Sequence, residues 1–357
     1  MPSSALPAKL ISIDELDLQE IKRNAWSKTF KKAELSIDGQ TYEVEFGLRG
    51  GHTRNYLKKS FEVRFADGRT LHWNAEFDDP SMMRNALSFY YFNKIGVPSP
   101  HTEHFWLIVN GVPQGVYLEI EAVDSRFFQK RNIPYRSLLY AVNDSANFSI
   151  KDPITRKKKD SLFDGYELKS GGLDTKKRLV SFVRGIHSRR GQTLSSYTAR
   201  RLDVNQYLLW LAGAVLTGNY DGFDQNYALY EYKKNAKYRI IPWDYEGTWG
   251  RNCYGKPCGS DLVRLQGYNH LTKRLFIFPS CRRKYRRIVH HQLQQSFTPQ
   301  ALDPVIDEMH DNLAPAIRSD YTRKSGYDSF LAERDFIKQY IVERRELIEG
   351  ALQKWNA

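Results

Sequence analysis

Alternation of apolar and polar side chains marks the first 121 residues and predicts paired β-strands. The clearest run lies in residues 42–48, where Tyr, Val, Phe and Leu alternate with Glu, Glu and Gly. Two strong hairpin signals, Asp38–Gly39 and Asn110–Gly111, interrupt such runs, and the second separates predicted strands at 104–109 and 114–121. This part of the chain is therefore expected to be rich in antiparallel sheet.

Helical spacing of apolar residues is less frequent in this part. A short amphipathic helix is predicted at 12–24, with Ser12 or Asp14 as its cap, and a second helix is predicted at 80–95. A multi-stranded sheet that carries a helix is typical of the α+β class.

Helical spacing dominates after residue 123. Predicted helical segments lie near residue 124 and at 179–186, 204–215, 283–296 and 335–355. Asp203 is the expected cap of the most apolar of them. We therefore predict an α+β fold with two domains: a sheet-rich N-lobe, residues 1–123, and a mainly helical C-lobe, residues 124–357.

Residues 219–250 contain the strongest candidate site. Strands are predicted at 226–232 and 237–242, and the short polar linker between them indicates an antiparallel hairpin. Asp221 precedes the first strand and Asp244 follows the second. Because antiparallel strands return to their starting point, these two carboxylates should meet.

The register of this hairpin decides where Asn226 lies. A turn centred near Lys234 places Asn226 opposite Pro242, whereas a turn centred on Asn235 places it opposite Asp244. Cross-strand neighbours are roughly 5 Å apart and diagonal ones roughly 7–8 Å. In either register the two aspartates and this asparagine can converge on one small volume.

Two carboxylates and an amide supply the oxygen ligands that Mg²⁺ prefers. Asn226 follows Asp221 by five residues, which is the interval between the catalytic Asp and the metal-binding Asn of the kinase loop H-R-D-x-x-x-x-N. Asp244 begins D-Y-E-G, at the place where kinases carry D-F-G after a hairpin. The alternative is turn chemistry, because Asp, Asn and Gly all populate turns.

A lysine before the predicted strand 61–65 is a second candidate. Lys59 has the parity of Phe61, so it is predicted to point to the apolar side of the strand and Lys58 away from it. Lys59 is either a phosphate-contacting lysine, like that of a kinase third strand, or an end-of-strand lysine whose head group reaches water. Arg49 opens the basic glycine-bearing loop R-G-G-H-T-R, which suits either phosphate or a simple turn.

The predicted boundary between the lobes falls just after Glu121. Residues 119–123 would then form a hinge, whose backbone groups could hold a flat base. Glu121 is therefore a candidate for cofactor binding.

The composition describes a globular, strongly basic protein. Hydrophobic residues make up 41% of the chain, the net charge is +13 and the pI is about 9.4. This charge favours anionic partners such as nucleotides, nucleic acid or acidic protein surfaces, although a solvated basic surface has the same composition.

Cysteine usage and hydropathy predict an intracellular protein without a membrane span. The three cysteines have no repeated pair spacing, which disfavours zinc and a disulfide framework and predicts reduced thiols. The N-terminal stretch lacks the basic and apolar segments of a secretory signal. No window approaches the roughly 18 apolar residues that a membrane span requires.

Several longer strings extend these short motifs over most of the chain. They are RGGHTRNYLKKSFEVRF, PSMMRNALSFYYFNKIGVPSP, NGVPQGVYLEIEAVD, LYAVNDSANFS, NYDGFDQNYALY and IPWDYEGTWGR. On these strings the chain resembles the spore coat protein H (CotH) kinase family of atypical protein kinases.

The resemblance implies a bilobal protein-kinase-like fold that uses ATP with Mg²⁺ or Mn²⁺. It further implies phosphorylation of serines in basic, serine-rich spore coat proteins. The expected residence is the spore coat, with assembly from the mother-cell cytoplasm. By the family pattern Asp221 would be the catalytic Asp and Asp244 the metal Asp, and Asn226 fits as a further metal ligand.

The chain departs from ordinary protein kinases at several of these motifs. Tyr220 precedes Asp221 where H-R-D has Arg, and D-Y-E-G replaces D-F-G. Neither A-P-E nor a standard glycine-rich loop is present. Regulation through an activation loop and the family's nucleotide contacts are therefore not transferred to this chain.

The resulting hypothesis is transfer of the γ-phosphoryl group of Mg-ATP to a serine hydroxyl. Asp221 would orient the hydroxyl and accept its proton, Asp244 and Asn226 would hold the metal, with Glu246 as a possible sharer, and Lys59 with Arg49 would neutralise phosphate oxygens. The alternatives are a non-catalytic coat scaffold and an AMP transferase on the same fold. Nucleic-acid binding is suggested by charge alone, and we do not expect it.

Overall fold

The computed structural model describes residues 6–355, which divide into two compact units. The first contains residues up to 86, 100–122 and 304–336, and the second contains 87–99, 123–303 and 337 onward. Residues 304–336 were predicted to belong to the C-lobe, 124–357. In the structure they group with the first unit. The first five residues of the N-terminal stretch, in which no secretory signal was expected, lie outside the described residues.

The first unit is built on a closed seven-stranded barrel. Its strands are β1 (Ala8–Ile13), β2 (Phe30–Ile37), β3 (Gln40–Leu48), β4 (Phe61–Phe65), β5 (Thr70–Asn74), β6 (Thr102–Val109) and β7 (Val112–Glu121). They follow the order β1-β2-β3-β4-β5-β7-β6, and a parallel pairing of β1 with β6 closes the ring. The remaining pairings are antiparallel, so the predicted sheet-rich N-terminal region is confirmed.

Turn chemistry fixes the two predicted hairpins. Asp38 and Gly39 have φ angles of 49° and 78°, and Asn110 and Gly111 have φ angles of 48° and 76°. Both pairs therefore have the two consecutive positive φ angles that a type I′ turn requires and that Asp, Asn and Gly tolerate best. Both hairpins lie where the sequence predicts them.

Aromatic rings fill the barrel. Phe46 and Phe61 are stacked with ring centroids 4.5 Å apart, and Trp73 lies 5.0 Å from Phe105. All four side chains are at most 2% exposed. Each ring comes from a different strand, and the buried positions Phe61, Val63 and Phe65 of β4 show the period of two that the sequence predicts.

The helices of the described residues are α1 (Glu15–Arg23), α2 (Arg84–Lys94), α3 (Ser125–Lys130), α4 (Leu173–Ser188), α5 (Gly191–Arg201), α6 (Val204–Thr217), α7 (His270–Leu275), α8 (Pro279–Gln295), α9 (Pro299–Arg318) and α10 (Tyr327–Lys354). Of the two caps considered for α1, Asp14 is the one used, because its side chain accepts the backbone N–H groups of Leu16 and Asp17. None of these helices combines the length and the apolar character that crossing a bilayer requires.

The predicted orientation of Lys58 and Lys59 is wrong. Lys58 is the buried member of the pair, at 6% exposure, and its Nζ lies 3.0 Å from Asp320 Oδ2. Lys59 is half-buried, and its Nζ donates a hydrogen bond of 2.6 Å to the backbone carbonyl of Arg54. The strand alternation does not reach these lysines, because β4 begins only at Phe61.

Asp320 attaches the 304–336 segment to the barrel of the first unit. Its Oδ2 accepts a hydrogen bond of 2.8 Å from the Val116 backbone N–H as well as the Lys58 contact, and Lys58 also donates to the Val116 carbonyl at 2.7 Å. Burial alone would raise the pKa of Asp320, but the charge of Lys58 and these hydrogen bonds hold it below its usual value. The carboxylate therefore remains ionised opposite a buried ammonium group.

We expect Asp320→Asn to lower the free energy of unfolding by about 3–5 kcal/mol, because it leaves the buried charge of Lys58 without its partner. Urea unfolding followed by circular dichroism measures the loss. Glu308→Gln is the control with the same loss of charge, since Glu308 is exposed in the same segment, and it should change the free energy by less than about 0.5 kcal/mol. An equal effect of both substitutions would show that the ion pair does not attach the segment.

The second unit contains the predicted helices around a four-stranded antiparallel sheet. The strands are β8 (Tyr135–Ala141), β9 (Tyr166–Ser170), β10 (Tyr227–Tyr232) and β11 (Lys237–Pro242), in the order β11-β10-β8-β9. The mainly helical character of this region is confirmed, and so is the β10–β11 hairpin. Strands β8 and β9 were not predicted, because short apolar runs such as that in β8 do not distinguish strand from buried helix.

Candidate functional site

The β10–β11 hairpin has a register midway between the two that were predicted. Tyr227 pairs with Pro242, so Asn226 lies beside Trp243, and the Trp243 N–H donates a hydrogen bond of 3.1 Å to the Asn226 carbonyl. The predicted pairings of Asn226 with Pro242 or Asp244 are therefore both wrong. Both assumed a turn centred on one residue, whereas the turn has an even number of residues, 233–236, between the last paired positions.

Asn226 and Asp244 lie at the open end of this hairpin, Asn226 just before β10 and Asp244 two residues after β11. Both have left-handed backbone conformations, with φ angles of 58° and 59°. Asn and Asp tolerate this region better than other non-glycine residues, and such angles occur often at functional sites. The two predicted metal ligands thus share an uncommon backbone geometry at the end of one hairpin.

Asp221 lies in the loop that follows α6. Gly218 ends this helix in the left-handed conformation, with φ 74°, and its N–H donates to the Ala214 carbonyl at 3.1 Å. Asn219 follows and is 1% exposed. Its Oδ1 accepts the Gly222 N–H at 2.9 Å and so folds the loop around Asp221.

Asn219 also connects this loop to the other half of the site. Its Nδ2 donates a hydrogen bond of 3.4 Å to the backbone carbonyl of Asp244. One buried amide therefore fixes both the Asp221 loop and the start of D-Y-E-G. Sequence reasoning missed this residue, although an Asn two positions before Asp-Gly is a recognisable turn signal.

We expect Asn219→Ala to lower the free energy of unfolding by about 1–3 kcal/mol, because the Gly222 N–H loses its buried acceptor. Asn235→Ala is the control. Asn235 also accepts one backbone N–H, that of Lys237 at 3.2 Å, but it is exposed. Denaturant unfolding of both variants compares the two losses, and a loss at position 219 no larger than that at 235 would argue against a positioning role.

Carboxylates from both segments that Asn219 joins act on the thiol of Cys253. Burial raises the pKa of Cys253, and the charge and hydrogen bond of Asp221 and the charges of Glu246 and Asp244 act in the same direction; together they bring it to about 12. Gly247 has Cys253 against it, since a Cβ at this glycine would lie 2.7 Å from the Cys253 backbone N. The charges of Asp221, Asp244 and Glu246 therefore act on the same half-buried cysteine.

Two further aspartates, Asp144 and Asp224, interact electrostatically in this region. Asp144 follows β8, and burial and the charge of Asp221 raise its pKa. The pKa of Asp224 is raised to about 7. Burial is the main cause and the charge of Asp144 acts in the same direction, while the charges of Lys273 and Lys159 lower the pKa. The sequence analysis gave neither aspartate a role, although both lie in strings that carry the family resemblance.

The chemistry of this group fits a divalent cation. In residues 6–355 no three His, Cys, Asp or Glu side chains are close enough, as they stand, to hold a metal ion. The donors are nevertheless carboxylate and amide oxygens, which hard cations prefer. Burial and then the charge of Asp221 raise the pKa values of Asp144 and Cys253, and a cation bound beside Asp221 would offset the second of these effects.

The other predicted site residues belong to the first unit. The Arg49 guanidinium hydrogen-bonds the Asn74 side chain. The N–H of Glu121 donates to the His101 carbonyl at 2.9 Å, and one of its carboxylate oxygens accepts the His101 N–H at 3.0 Å. Together with the Lys59 contact described above, these bonds fix each group in place without testing its role toward a nucleotide.

Comparison with known proteins agrees with the predicted family. A family model described as "CotH kinase protein" matches residues 46–348. The chain is 36% identical over 355 residues to the inner spore coat protein H of Bacillus subtilis (strain 168), covering 98% of each chain. It is 27% identical over 296 residues to the inner spore coat protein H-like protein of the same organism, covering 83% of this chain and 84% of that protein.

A solved structure described as a proinflammatory kinase, CtkA, of Helicobacter pylori is similar at 10% identity. The match covers 83% of this chain and 93% of that one, with a TM-score of 0.33. A score this low supports no inference about the present chain. The match to the family model and the identity to the Bacillus subtilis relatives show that the chain belongs to the CotH kinase protein family.

Proposed function

We propose that the chain is an atypical protein kinase, which transfers the γ-phosphoryl group of ATP to serine hydroxyls of spore coat proteins. Membership of the CotH kinase protein family supports the kinase class. The observation that carries the proposal is the buried side chain of Asn219, which accepts the Gly222 N–H at 2.9 Å beside Asp221 and donates to the Asp244 carbonyl at 3.4 Å, so that the two aspartate-bearing segments are joined. Phosphoryl transfer needs mainly positioned groups and charge stabilisation, which carboxylates on two joined segments can provide.

Asp221 is proposed to orient the acceptor hydroxyl and take its proton. A general base must lie within hydrogen-bond reach of the proton that it accepts. The loop around Asp221 is held by the buried Asn219, so the carboxylate is presented in a defined place. The positioned base makes the serine oxygen a better nucleophile at the moment of transfer.

Asp244 and Asn226 are proposed to hold Mg²⁺ or Mn²⁺, with Glu246 as a further ligand. Bound Mg-ATP would supply the phosphoryl group, and the metal would offset the charge of the phosphates. The hydrogen bond from Trp243 to the Asn226 carbonyl holds the two chain segments in register.

Lys59, Arg49 and Glu121 remain proposed cofactor contacts of the first unit. Lys59 and Arg49 would neutralise phosphate oxygens, and the backbone beside Glu121 would hold the adenine. For Lys59 this requires exchanging its bond to the Arg54 carbonyl for one to phosphate. Partial burial lowers the pKa of Lys59.

The proposed setting is the spore coat, with synthesis in the mother-cell cytoplasm. The relative that supports it is an inner spore coat protein by name. Basic, serine-rich coat proteins are the proposed acceptors. Neither a membrane nor a nucleic acid is part of the proposal.

The test is incubation of the purified chain with Mg²⁺, γ-labelled ATP and basic serine-rich coat proteins. We expect label on acceptor serine, and we expect its loss when EDTA removes the metal. A parallel reaction with α-labelled ATP should leave the acceptor unlabelled.

Each other outcome replaces the proposal with a named alternative. Label from α-labelled ATP on the acceptor would indicate AMP transfer. ATP binding without any transfer would indicate a coat scaffold that keeps the fold.

A further inference from the structure

A cavity of about 550 Å³ opens in the second unit beside α4, away from the residues given roles above. Basic side chains dominate its polar lining: Lys158, Lys159, Arg184 and His187, with Asp160 as the acidic member. The lysines come from the basic loop 151–161, which the proposed phosphoryl transfer does not use. The cavity is therefore a concave basic surface without an assigned ligand.

Two of the cations have no protein partner. Within residues 6–355 the side chains of Lys158 and Arg184 make no hydrogen bond and no ion pair, and both are exposed. Arg178 on the same helix shows the contrast, because its Nε lies 2.8 Å from Glu231 Oε2. Lys158 and Arg184 are thus available to an anion from solution.

The other two basic groups are fixed in place. Lys159 is 8% exposed, and its Nζ donates to Asn147 Oδ1 at 3.1 Å. His187 Nε2 lies 2.7 Å from the Phe148 carbonyl oxygen, so this nitrogen carries the proton and donates it. These bonds orient one wall of the cavity before any ligand arrives.

Several cations act on the two histidines in and beside the cavity, His187 and His270. Burial lowers the pKa of His187, and the charges of Arg274 and Arg190 lower it further. Burial likewise lowers the pKa of His270 to about 4, with Lys273 the largest charge acting in the same direction. Burial is thus the main reason that both imidazoles are neutral, and the cations nearby act in the same direction, as expected of a region of positive potential.

We propose that this cavity binds a phosphate monoester, namely a phosphoserine of an acceptor protein. The inference rests on the proposed function, because phosphoserine is its product. An arginine and a lysine without partners are suited to a phosphate dianion, and the arginine can bind it through two parallel hydrogen bonds. The volume accommodates neighbouring residues of the peptide, and Asp160 could pair with a basic one.

The cavity is electrostatically linked to the candidate catalytic loop. The charge of Lys159 acts on Asp224, three residues after Asp221. A phosphoserine bound beside Lys159 would hold the acceptor while another serine of the same chain reacts. Repeated phosphorylation of one serine-rich segment would be the result.

The test measures binding of the full chain to a labelled basic peptide that contains one phosphoserine, by fluorescence anisotropy and without nucleotide. The salt concentration is about 0.15 M, because long-range attraction between exposed charges is then screened. The same peptide with unmodified serine is the reference. We expect the phosphopeptide to bind on the order of tenfold more tightly. Lys158→Ala with Arg184→Ala should remove this preference, whereas Lys157→Ala with Lys177→Ala, an equal loss of charge outside the cavity, should retain it.

Three outcomes would overturn the inference. The first is equal affinity for the two peptides, and the second is an equal loss of the preference for phosphoserine in the two double variants. The third is displacement of the phosphopeptide by inorganic phosphate at a concentration no higher than that of unlabelled phosphopeptide needed for the same displacement. The last would make the cavity a site for the free ion. Because the assay contains no ATP, an inactive chain that prefers the phosphopeptide contradicts only the proposed function, and an active chain without the preference contradicts only this inference.

Discussion

Asp221→Asn should lower the rate of phosphoryl transfer to serine by about three orders of magnitude, the scale of positioned general-base catalysis. The amide keeps the size of the carboxylate but cannot accept the proton of the serine hydroxyl. Because Asp221 is not proposed to bind the nucleotide, the affinity for ATP should change little. Initial rates with γ-labelled ATP and a titration of ATP binding measure the two quantities separately.

Asp261→Asn is the matched control for this substitution. Asp261 is an exposed aspartate of the same unit, and its replacement should leave the rate within about twofold, as for surface changes generally. A variant at position 221 that kept the rate of the unmodified chain would remove Asp221 from the mechanism. A rate lost together with ATP binding would assign it to the nucleotide instead.

Asp244→Asn should lower the transfer rate by about 10²–10³-fold and raise the Mg²⁺ concentration needed for half-maximal activity. An amide in place of a carboxylate removes one negative charge from the proposed metal ligands, so the cation binds less tightly. Rates measured over a range of Mg²⁺ concentrations separate weaker metal binding from slower transfer. High Mg²⁺ should restore part of the lost activity.

Glu246→Gln supplies the comparison for the metal assignment. If Glu246 shares the metal in a secondary way, its replacement should shift the Mg²⁺ dependence less than that of Asp244. Full activity of Asp244→Asn with an unchanged Mg²⁺ dependence would make the metal assignment wrong. A larger shift for Glu246 would exchange the roles of the two carboxylates.

Local patterns predicted those parts of the fold that local chemistry decides. The Asp38–Gly39 and Asn110–Gly111 turns were found because each needs residues that tolerate positive φ, and the Asp14 and Asp203 caps because each satisfies backbone N–H groups beside it. Closure of the barrel was not predicted. It depends on the pairing of β1 with β6, about a hundred residues apart, which no short-range pattern encodes.

The candidate site was predicted in its residues but not in its detailed geometry. Counting along the hairpin brought Asp221, Asn226 and Asp244 near one another, but it could not distinguish an odd from an even turn. The amide of Asn219 was missed because its two partners are identified only when the loops are folded. Lys58 was misplaced because alternation was extended beyond the end of a strand, while its partner Asp320 lies 262 positions later.

The separation of Lys58 and Asp320 along the chain affects how the first unit folds during synthesis. Translation adds about 5–20 residues per second, so tens of seconds pass between the emergence of Lys58 and that of Asp320. Until then the barrel lacks its 304–336 segment, and a second buried cation, Arg84, lacks Glu333, which lies 2.6 Å away in the finished protein. A nascent chain stopped near residue 300 would thus present an incomplete first unit to chaperones and proteases. A stop codon before residue 304 should therefore destabilise the barrel of the first unit, although the strands of the barrel are encoded upstream of it.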